Sequence, residues 1–292
     1  MEEIIIFPGI GVMHARVNAG FIAGQDLTLV IDTMNSPADG RDIAAFVAKS
    51  TPARIMAVVN THNHADHTFG NQVFGVPVIA SESCRKLMQE NLAASWSPAA
   101  IRTAQESPGG ERLKGLQVML PHLTFRHGLT IHLGPAPERG GRGGQSERVA
   151  IIEHTGGHSP GHSIVRVPDA GVIFGGDLFF VGRYPFVRQA YTPHWITALR
   201  RIKDLAPEVL IPGHGPVCDT QRAAAEADRQ IAYFVETKQQ LADYAAKGLG
   251  LNEILARADE FPRAAEEGYH RLHRPNLETL YKECQKDGII AG

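Results

Sequence analysis

The sequence predicts a mixed α/β fold with a helical extension at its carboxyl end, and two observations support this. Through about residue 215, short runs of β-branched and apolar residues alternate with turns and a few helical stretches. Beyond that point, apolar residues recur at helical spacing over 219–247, 251–258 and 276–287. We therefore predict an α/β domain over residues 1–218 and a helical extension over 219–292 that packs on it.

The first domain opens with strands and one helix. Apolar runs predict strands over 4–7, 15–23 and 27–32, and the face formed by Ile43, Phe46 and Val47 predicts a helix over 39–49. A strand over 54–60 follows, and its run Ile55-Met56-Ala57-Val58-Val59 is apolar throughout, so we expect both faces of this strand to be buried.

Shorter elements complete the domain. A helix is predicted over 82–94 with Ser81 as its N-cap, and a surface excursion with one helical turn over 95–111. The glycine-rich stretch 134–148 is predicted to be a mobile hairpin loop, because it does not match a phosphate-binding pattern. The other predicted strands are 77–80, 117–120, 124–125, 130–133, 149–154, 163–167 and 172–174.

The composition excludes several classes of protein. Hydrophobic residues make up 43% and charged residues 21% of the 292 residues, which is ordinary for a globular protein. A formal charge of −2 gives no reason to expect a nucleic acid or an acidic membrane as partner, and no apolar stretch is long enough to span a bilayer. The acidic amino terminus does not resemble a signal peptide, so we expect a cytoplasmic protein with a small-molecule substrate, and a homo-oligomer remains open.

Histidine is the unusual feature of the composition, with 14 residues against 3 cysteines. The densest group follows the predicted buried strand, where Thr61-His62-Asn63-His64-Ala65-Asp66-His67 places three imidazoles and a carboxylate within a short turn. Imidazole together with carboxylate suits zinc, iron or manganese better than calcium. The pattern predicts a metal site, and a hydrogen-bonded polar loop is the alternative.

Three further segments place a histidine or an aspartate beside glycines at the end of a predicted strand. These segments are Gly157-His158-Ser159-Pro160-Gly161-His162, Gly175-Gly176-Asp177 and Pro212-Gly213-His214-Gly215. Taken alone, His158 could be a turn residue, Asp177 a helix cap and His214 a buried core residue. Together with the first cluster they favour one ligand set, because glycine lets the backbone approach a metal closely.

The succession H-x-H-x-D-H, G-H-S-x-G-H, G-D and P-G-H-G is similar to the motif order of the metallo-β-lactamase-fold hydrolases over about residues 4–216. This resemblance implies a four-layer αββα sandwich with metals at the edge between two sheets. It also implies a ligand set of His62, His64 and His158 on one metal, Asp66, His67 and His214 on the other, and Asp177 bridging the two.

Within that superfamily, the complete histidine and aspartate set resembles glyoxalase II, lactonases and related general hydrolases. The resemblance implies two divalent metal ions, with zinc as first choice and iron or manganese as alternatives. A metal-bridging hydroxide would attack the carbonyl of a thioester, lactone, lactam or related ester. Asp66 is the candidate catalytic residue, because its carboxylate could orient that hydroxide.

Two other functions stay open. A mononuclear non-haem iron persulfide dioxygenase has similar motifs, although the presence of Asp66, His67 and His214 favours two metals. A binding protein that keeps the fold without turnover is the third possibility. Cys84, Cys218 and Cys284 lie outside the motifs and are not expected to act as nucleophiles.

Residues near the motifs are candidates for contact with substrate. The segment 180–195 is a candidate substrate wall, with Arg183, Tyr184, Phe186, Arg188, Tyr191 and His194, whereas Trp195 is expected mainly to seat the following helix. His162 is expected either to pack behind a metal ligand, to line the pocket wall or to be purely structural. Tail residues that could reach back over the site are His270, His273, Asn276 and Tyr281.

Overall fold

A computed structural model of the chain describes residues 1–138, 146–263 and 269–290. The glycine-rich part of the predicted loop, Gly140-Gly141 and Gly143-Gly144, lies outside these residues. The first sheet has its strands in chain order: β1 (Glu2–Phe7), β2 (Ile10–His14), β3 (Asn18–Ala23), β4 (Leu27–Ile31), β5 (Arg54–Val59), β6 (Val78–Ser81) and β7 (Leu123–Phe125). Pairing is antiparallel from β1 to β4 and parallel from β4 to β7.

The second sheet has the strand order β13-β12-β11-β10-β9-β8. Its strands are β8 (Gly128–Pro135), β9 (Glu147–His154), β10 (Ser163–Val167), β11 (Val172–Phe180), β12 (Val209–His214) and β13 (Cys218–Asp219). The pair β11–β12 is parallel, and the other pairs are antiparallel. Because β11 and β12 run the same way, residues at their carboxyl ends meet at one edge of the sheet.

Helices accompany both sheets in the described part of the chain. The α-helices are α1 (Pro37–Ser50), α2 (Ala65–Thr68), α3 (Glu82–Ala93), α4 (Pro98–Glu106), α5 (Thr192–Leu205), α6 (Thr220–Ala246), α7 (Leu251–Leu255) and α8 (Tyr269–Lys286). Short 3₁₀ turns cover Asn71–Val73, Gly110–Leu113, Pro168–Ala170 and Ala258–Glu260. None of the helices seen in these residues is long and apolar enough to cross a membrane.

Three apolar cores separate four layers. One core lies between the sheets, where Ile31 and Val59 of the first sheet meet Ile152 of the second. A second core packs α1 on the outer face of the first sheet and includes Val58. Because Val58 and Val59 point to opposite cores, β5 is buried on both faces at its carboxyl end, as the apolar run predicts. The predicted αββα arrangement is confirmed.

The third core joins the carboxyl-terminal helices to the outer face of the second sheet. It combines residues of β11, α5, α6 and α8 in one continuous apolar cluster. The extension begins at Thr220, one residue from the predicted boundary, but the shared core means that no gap in packing marks two separate units. The division into two domains therefore stays a prediction.

Several predicted elements differ from the structure. The predicted strand over 15–23 corresponds to β3, which begins at Asn18, whereas β2 was not predicted. Gly9, with a φ of +76°, lies in the turn that joins β1 to β2, and β2 pairs antiparallel with β3. The 95–111 excursion holds the nine-residue helix α4, since Pro98 occupies the first turn, where proline is tolerated, behind the N-cap Ser97. Residues 117–120 form no strand, and β11 continues through the Gly-Gly-Asp segment that was predicted to be a turn.

Candidate metal centre

The motif residues meet at one edge of the two sheets. His62 to His67 follow the carboxyl end of β5 and enter the short helix α2, and His214 ends β12. His158 lies in the loop between β9 and β10, and Asp177 lies within β11. The fold thus brings all seven predicted ligand residues together. They form two groups with metal-ligand spacing, which we call the three-histidine group (His62, His64, His158) and the Asp66 group (Asp66, His67, His214), with Asp177 beside both.

The nitrogens of the three-histidine group converge on one point. His64 Nδ1 lies 3.0 Å from His62 Nε2 and 3.0 Å from His158 Nε2. Nitrogens bound tetrahedrally to one zinc ion would lie roughly 3.3 Å apart. Asp177 Oδ2 lies 3.7 Å from His62 Nε2 and 3.5 Å from His158 Nε2, so it completes this group. The spacing therefore fits a single small cation.

The Asp66 group faces the same carboxylate from the other side. Asp66 Oδ2 lies 3.5 Å from His214 Nε2 and 4.0 Å from His67 Nε2. Asp177 approaches both histidines, with Oδ1 at 3.1 Å from His67 Nε2 and Oδ2 at 3.3 Å from His214 Nε2. Asp177 therefore stands between the two groups.

Glycines make room for Asp177. Gly176 takes a φ of +50°, and the pairing of β11 with β12 is irregular on either side of it, so the strand locally redirects the next side chain. A Cβ atom at Gly213 would lie only 2.0 Å from Asp177 Oδ1. The glycines of the third and fourth motifs thus allow the carboxylate its position.

Asp32 supports this centre and was missed by the sequence analysis. It follows β4, is 3% exposed, and takes a φ of +56°. Its Oδ2 accepts hydrogen bonds from His67 Nδ1 at 2.8 Å and from Thr61 Oγ1 at 2.7 Å, while Oδ1 accepts one from Thr61 N. Thr61 Oγ1 in turn lies 3.1 Å from His62 Nδ1. Asp32 therefore orients His67 directly and His62 through Thr61.

The other ring nitrogens are held by different partners. His214 Nδ1 donates to the carbonyl of Arg16 at 2.7 Å. Gln189 Oε1 accepts from His64 Nε2 and from Asn63 Nδ2, both at 3.1 Å. These bonds leave His64 Nδ1 and His214 Nε2 free to point at the proposed ions.

The two groups carry different charge. Burial lowers the pKa of all three members of the three-histidine group, which are therefore neutral near pH 7. Burial alone would also lower the pKa of His67 and His214, but the negative charge of Asp177, joined by Asp66, raises the pKa of both. Burial would raise the pKa of Asp177, yet the surrounding histidines hold it well below the usual range.

The donor set fits cations. His67 Nε2 and Asp177 Oδ1 are buried, face one another, and have no hydrogen bond of acceptable angle to any described residue. Buried polar atoms without partners are costly, and metal coordination removes that cost. Imidazole nitrogens with carboxylate oxygens are also the ligands that zinc, iron and manganese accept.

A cavity of about 840 Å³ opens onto both groups. Asp66, Asp177, His64 and His214 contribute to its lining. The rest of the lining mixes cationic and apolar side chains, including Arg16, Arg112, Arg183, Met34, Phe180 and Phe186. Arg183 and Phe186 thus lie where the predicted substrate wall placed them.

Other members of the predicted wall lie elsewhere. Tyr184 is buried, and Arg188 is exposed outside the cavity lining. Tyr191 and His194 line a second cavity of about 710 Å³, together with Gln189 and Lys286. Trp195 is buried in the core and donates Nε1 to the carbonyl of Leu178, which matches its expected structural role; its ring also packs 5.2 Å from that of His158.

Two further expectations concern residues that do not reach the cavity. His162 stacks on His62 with ring centroids 5.3 Å apart, and burial lowers its pKa to about 3, so it packs behind a ligand instead of lining the cavity. All three cysteines are buried, and burial raises the pKa of Cys218 to about 11.

The carboxyl-terminal tail contacts a loop beside the site. Asn276 Nδ2 donates to the carbonyl of Pro185 at 2.8 Å, and its Oδ1 accepts from Val187 N. His273 is buried beside Tyr233, and Tyr281 packs into the third core. Among the described residues that line the cavity, none comes from the extension, and the side chain of His270 lies outside the described part. The tail thus holds the loop 182–190, and its described residues do not line the cavity at the ligand groups.

Solved structures of other proteins share the fold of this chain. A sec-alkylsulfatase, Pisa1 from Pseudomonas sp., superposes with a TM-score of 0.71 at 17% identity, covering 96% of this chain and 49% of that one. The chain thus spans about half the length of the sulfatase. A metallo-beta-lactamase family protein from Thermus thermophilus superposes with a TM-score of 0.66 at 17% identity, covering 97% of this chain and 95% of the other.

Sequence comparison finds two curated relatives. Hydroxyacylglutathione hydrolase from Erythrobacter litoralis is 26% identical over 218 residues, which are 72% of this chain and 68% of the relative. Acyl-coenzyme A thioesterase MBLAC2 from Bos taurus is 24% identical over 235 residues, or 74% of this chain and 79% of the relative. Both are hydrolases, which agrees with the enzyme class that the sequence predicts. The family model of the metallo-beta-lactamase superfamily matches residues 14–214, and the chain therefore belongs to that superfamily.

Proposed function

We propose that the chain is a dinuclear metal-dependent hydrolase acting on a small carbonyl substrate. The observation that carries this proposal is the position of Asp177, whose Oδ2 lies within 3.7 Å of histidine nitrogens of both groups and whose Oδ1 lies 3.1 Å from His67 Nε2. The three-histidine group would hold one divalent ion and the Asp66 group the other. Zinc is our first choice because of the imidazole-rich donor set, with iron or manganese as alternatives.

Two ions held in this way would supply a water of lowered pKa and a Lewis acid for the carbonyl oxygen. Asp66 is the catalytic residue we propose. Its side chain is 37% exposed and lines the cavity, so one oxygen can accept a hydrogen bond from the attacking water and orient it towards the substrate. Asp32 and Gln189 hold the imidazoles still while this happens.

The substrate is a thioester, lactone, lactam or related ester. Among these, the thioester is favoured, because the bovine relative is named a thioesterase. The cavity supports a small molecule with an apolar part, since Met34, Phe180 and Phe186 line it. A cytoplasmic location and a homo-oligomer stay predictions.

Metal analysis combined with turnover tests the proposal. We expect about two zinc ions per chain in reconstituted protein, and hydrolysis of at least one thioester from a panel that also holds lactones and β-lactams. His62→Ala and Asp66→Ala should each abolish measurable turnover, whereas His132→Ala, at an exposed histidine paired with Glu147, should leave it unchanged.

Two results would contradict the proposal. One iron ion per chain, with oxygen uptake on glutathione persulfide, would identify a mononuclear dioxygenase. A chain whose rate on every substrate of the panel is unaffected by His62→Ala and Asp66→Ala would be a binding protein that keeps the fold without turnover.

A further inference from the structure

Two arginines in the cavity have no acidic partner. Arg16 lies in the turn between β2 and β3, and Arg183 follows β11. Within the described residues, neither guanidinium makes an ion pair or a hydrogen bond, although both line the cavity that opens onto the ligand groups. The third arginine of the lining, Arg112, is paired with Asp39. Arg16 and Arg183 therefore present uncompensated positive charge.

Backbone contacts tie both arginines to the neighbourhood of His214. The carbonyl of Arg16 accepts the hydrogen bond from His214 Nδ1 at 2.7 Å. The carbonyl of Arg183 accepts from Arg229 Nη2 at 2.7 Å, and the same nitrogen donates to the carbonyl of Phe180 at 2.9 Å. The ring of Phe180 stacks on His214 at 5.0 Å. Both side chains thus start from hydrogen-bonded backbone near His214.

The acids of the cavity do not neutralise them. Asp39 is occupied by Arg112, while Asp66 and Asp177 belong to the proposed ligand groups. A guanidinium binds a carboxylate or phosphate through two parallel hydrogen bonds, which a neutral ester cannot match. A cleft lined by charge of one sign also raises the local concentration of the opposite charge.

We propose that Arg16 and Arg183 bind an oxyanion on the substrate, a carboxylate or a phosphate, while the carbonyl to be cleaved lies over the ligand groups. The two arginines are then specificity-determining residues for anionic esters or thioesters. The apolar lining contacts the chain that joins the two ends of such a substrate. The position of the carbonyl rests on the proposed hydrolase function, whereas binding of the oxyanion does not.

A matched substrate pair tests this proposal on the zinc-loaded protein. 4-Nitrophenyl butyrate is neutral, and the mono-4-nitrophenyl ester of glutaric acid carries a carboxylate on a similar acyl chain. We expect kcat/KM to be at least about tenfold higher for the anionic ester, mainly through KM, and this preference to shrink as salt is added. Inhibition by glutarate compared with inorganic phosphate distinguishes the two oxyanions.

The variants Arg16→Gln and Arg183→Gln should each reduce the preference for the anionic ester several-fold, and the double variant should abolish it. The preference is the ratio of kcat/KM for the anionic ester to kcat/KM for the neutral ester in the same variant, so a change common to both substrates cancels. Arg188→Gln is the matched control, because this exposed arginine lies on the same loop as Arg183 but outside the cavity lining. An unchanged preference in the double variant would overturn the proposal.

Calorimetry separates this proposal from the hydrolase function. If neither ester is cleaved, glutarate binding to the zinc-loaded protein should still weaken about tenfold in the double variant, and then only the hydrolase proposal fails. Equal glutarate affinity in the wild type and the double variant would overturn the oxyanion site whatever the turnover.

Discussion

The two ligand groups lie side by side and share Asp177, but the protein supports them differently. In the Asp66 group, the outer nitrogens of His67 and His214 donate to an aspartate and to a backbone carbonyl. In the three-histidine group, the partners of His62 and His64 are the uncharged side chains Thr61 and Gln189. His158 Nδ1 has no hydrogen bond to any residue that the structure describes.

Because of this difference in hydrogen-bond partners, two neighbouring sites at one edge of the sandwich hold histidines of different basicity. A carboxylate behind an imidazole makes that imidazole more basic, and a neutral amide does so less. In the Asp66 group, His67 thus has the charged partner Asp32 at the end of β4, and His214 has a backbone carbonyl in the turn between β2 and β3. The three-histidine group depends on Gln189, which lies on the loop held by the carboxyl-terminal helices. Substitutions that act on one support should therefore affect the two groups unequally.

The largest effect is expected from moving Asp177, because this residue is shared by the two ligand groups. Gly213→Ala would place a Cβ atom 2.0 Å from Asp177 Oδ1 and force the shared carboxylate away from both groups. We expect both ions to be lost together and turnover to fall by more than about 100-fold. Metal content of the purified variant and its rate on the best ester measure this. Gly250→Ala, whose Cβ would meet its nearest described neighbour at 3.8 Å, is the control.

Asp32→Asn should weaken mainly the Asp66 group. The φ of +56° at this position suits asparagine, so the backbone is expected to tolerate the change. Loss of the charge behind His67 should lower the affinity of the ion in the Asp66 group roughly 10- to 100-fold. Competition titration with a chromophoric chelator resolves the two binding steps. Equal weakening of both steps would show that Asp32 does not distinguish the groups.

The sequence was sufficient to predict that the seven residues lie near one another, because the order and spacing of their motifs resemble those of the metallo-β-lactamase-fold hydrolases. It was insufficient for Asp32, although this residue ended a predicted strand. The contact of Asp32 with Thr61 depends on β4 pairing in parallel with β5, and strand order cannot be read from local patterns. Hydrophobic periodicity predicted the layers, since it records burial directly.

Gln189 illustrates a second limit. It lies in an irregular loop whose conformation depends on Asn276, a residue 87 positions later in the chain. No local pattern signals such a contact. The tail residue Asn276 was predicted to reach over the site. It instead forms hydrogen bonds with the backbone of Pro185 and Val187 and so positions the loop that carries Gln189. Helix α4 was not predicted for another reason: proline usually breaks a helix, but Pro98 stands in the first turn of α4, where proline is tolerated.

Gln189→Leu should weaken metal binding mainly in the three-histidine group, and by less than Asp32→Asn weakens it in the Asp66 group. Leucine keeps much of the volume but removes the acceptor of His64 Nε2, so the ion in the three-histidine group should bind about tenfold more weakly. Gln189→Glu restores an acceptor with charge and should recover the affinity or exceed it. The same chelator titration measures both variants. A Gln189→Leu protein with wild-type affinity at both steps would show that the loop does not support His64.

The smallest expected effect is a difference in protons released. Because the pKa of His67 and His214 is raised by the neighbouring carboxylates, both rings keep their added proton to higher pH than the three-histidine group does, and that proton must leave before a metal binds. The three-histidine group has lowered pKa values and has no such proton to lose. Calorimetry in buffers of different ionisation enthalpy should therefore find up to two protons released with one ion and almost none with the other. As the pH falls from 8 to 6, the affinity for the ion of the Asp66 group should fall first.

Asp32→Asn should reduce the number of protons released, since Asp32 is one of the charges that raise the pKa of His67. Equal proton release for the two ions would mean that the electrostatic difference between the groups disappears when metal binds.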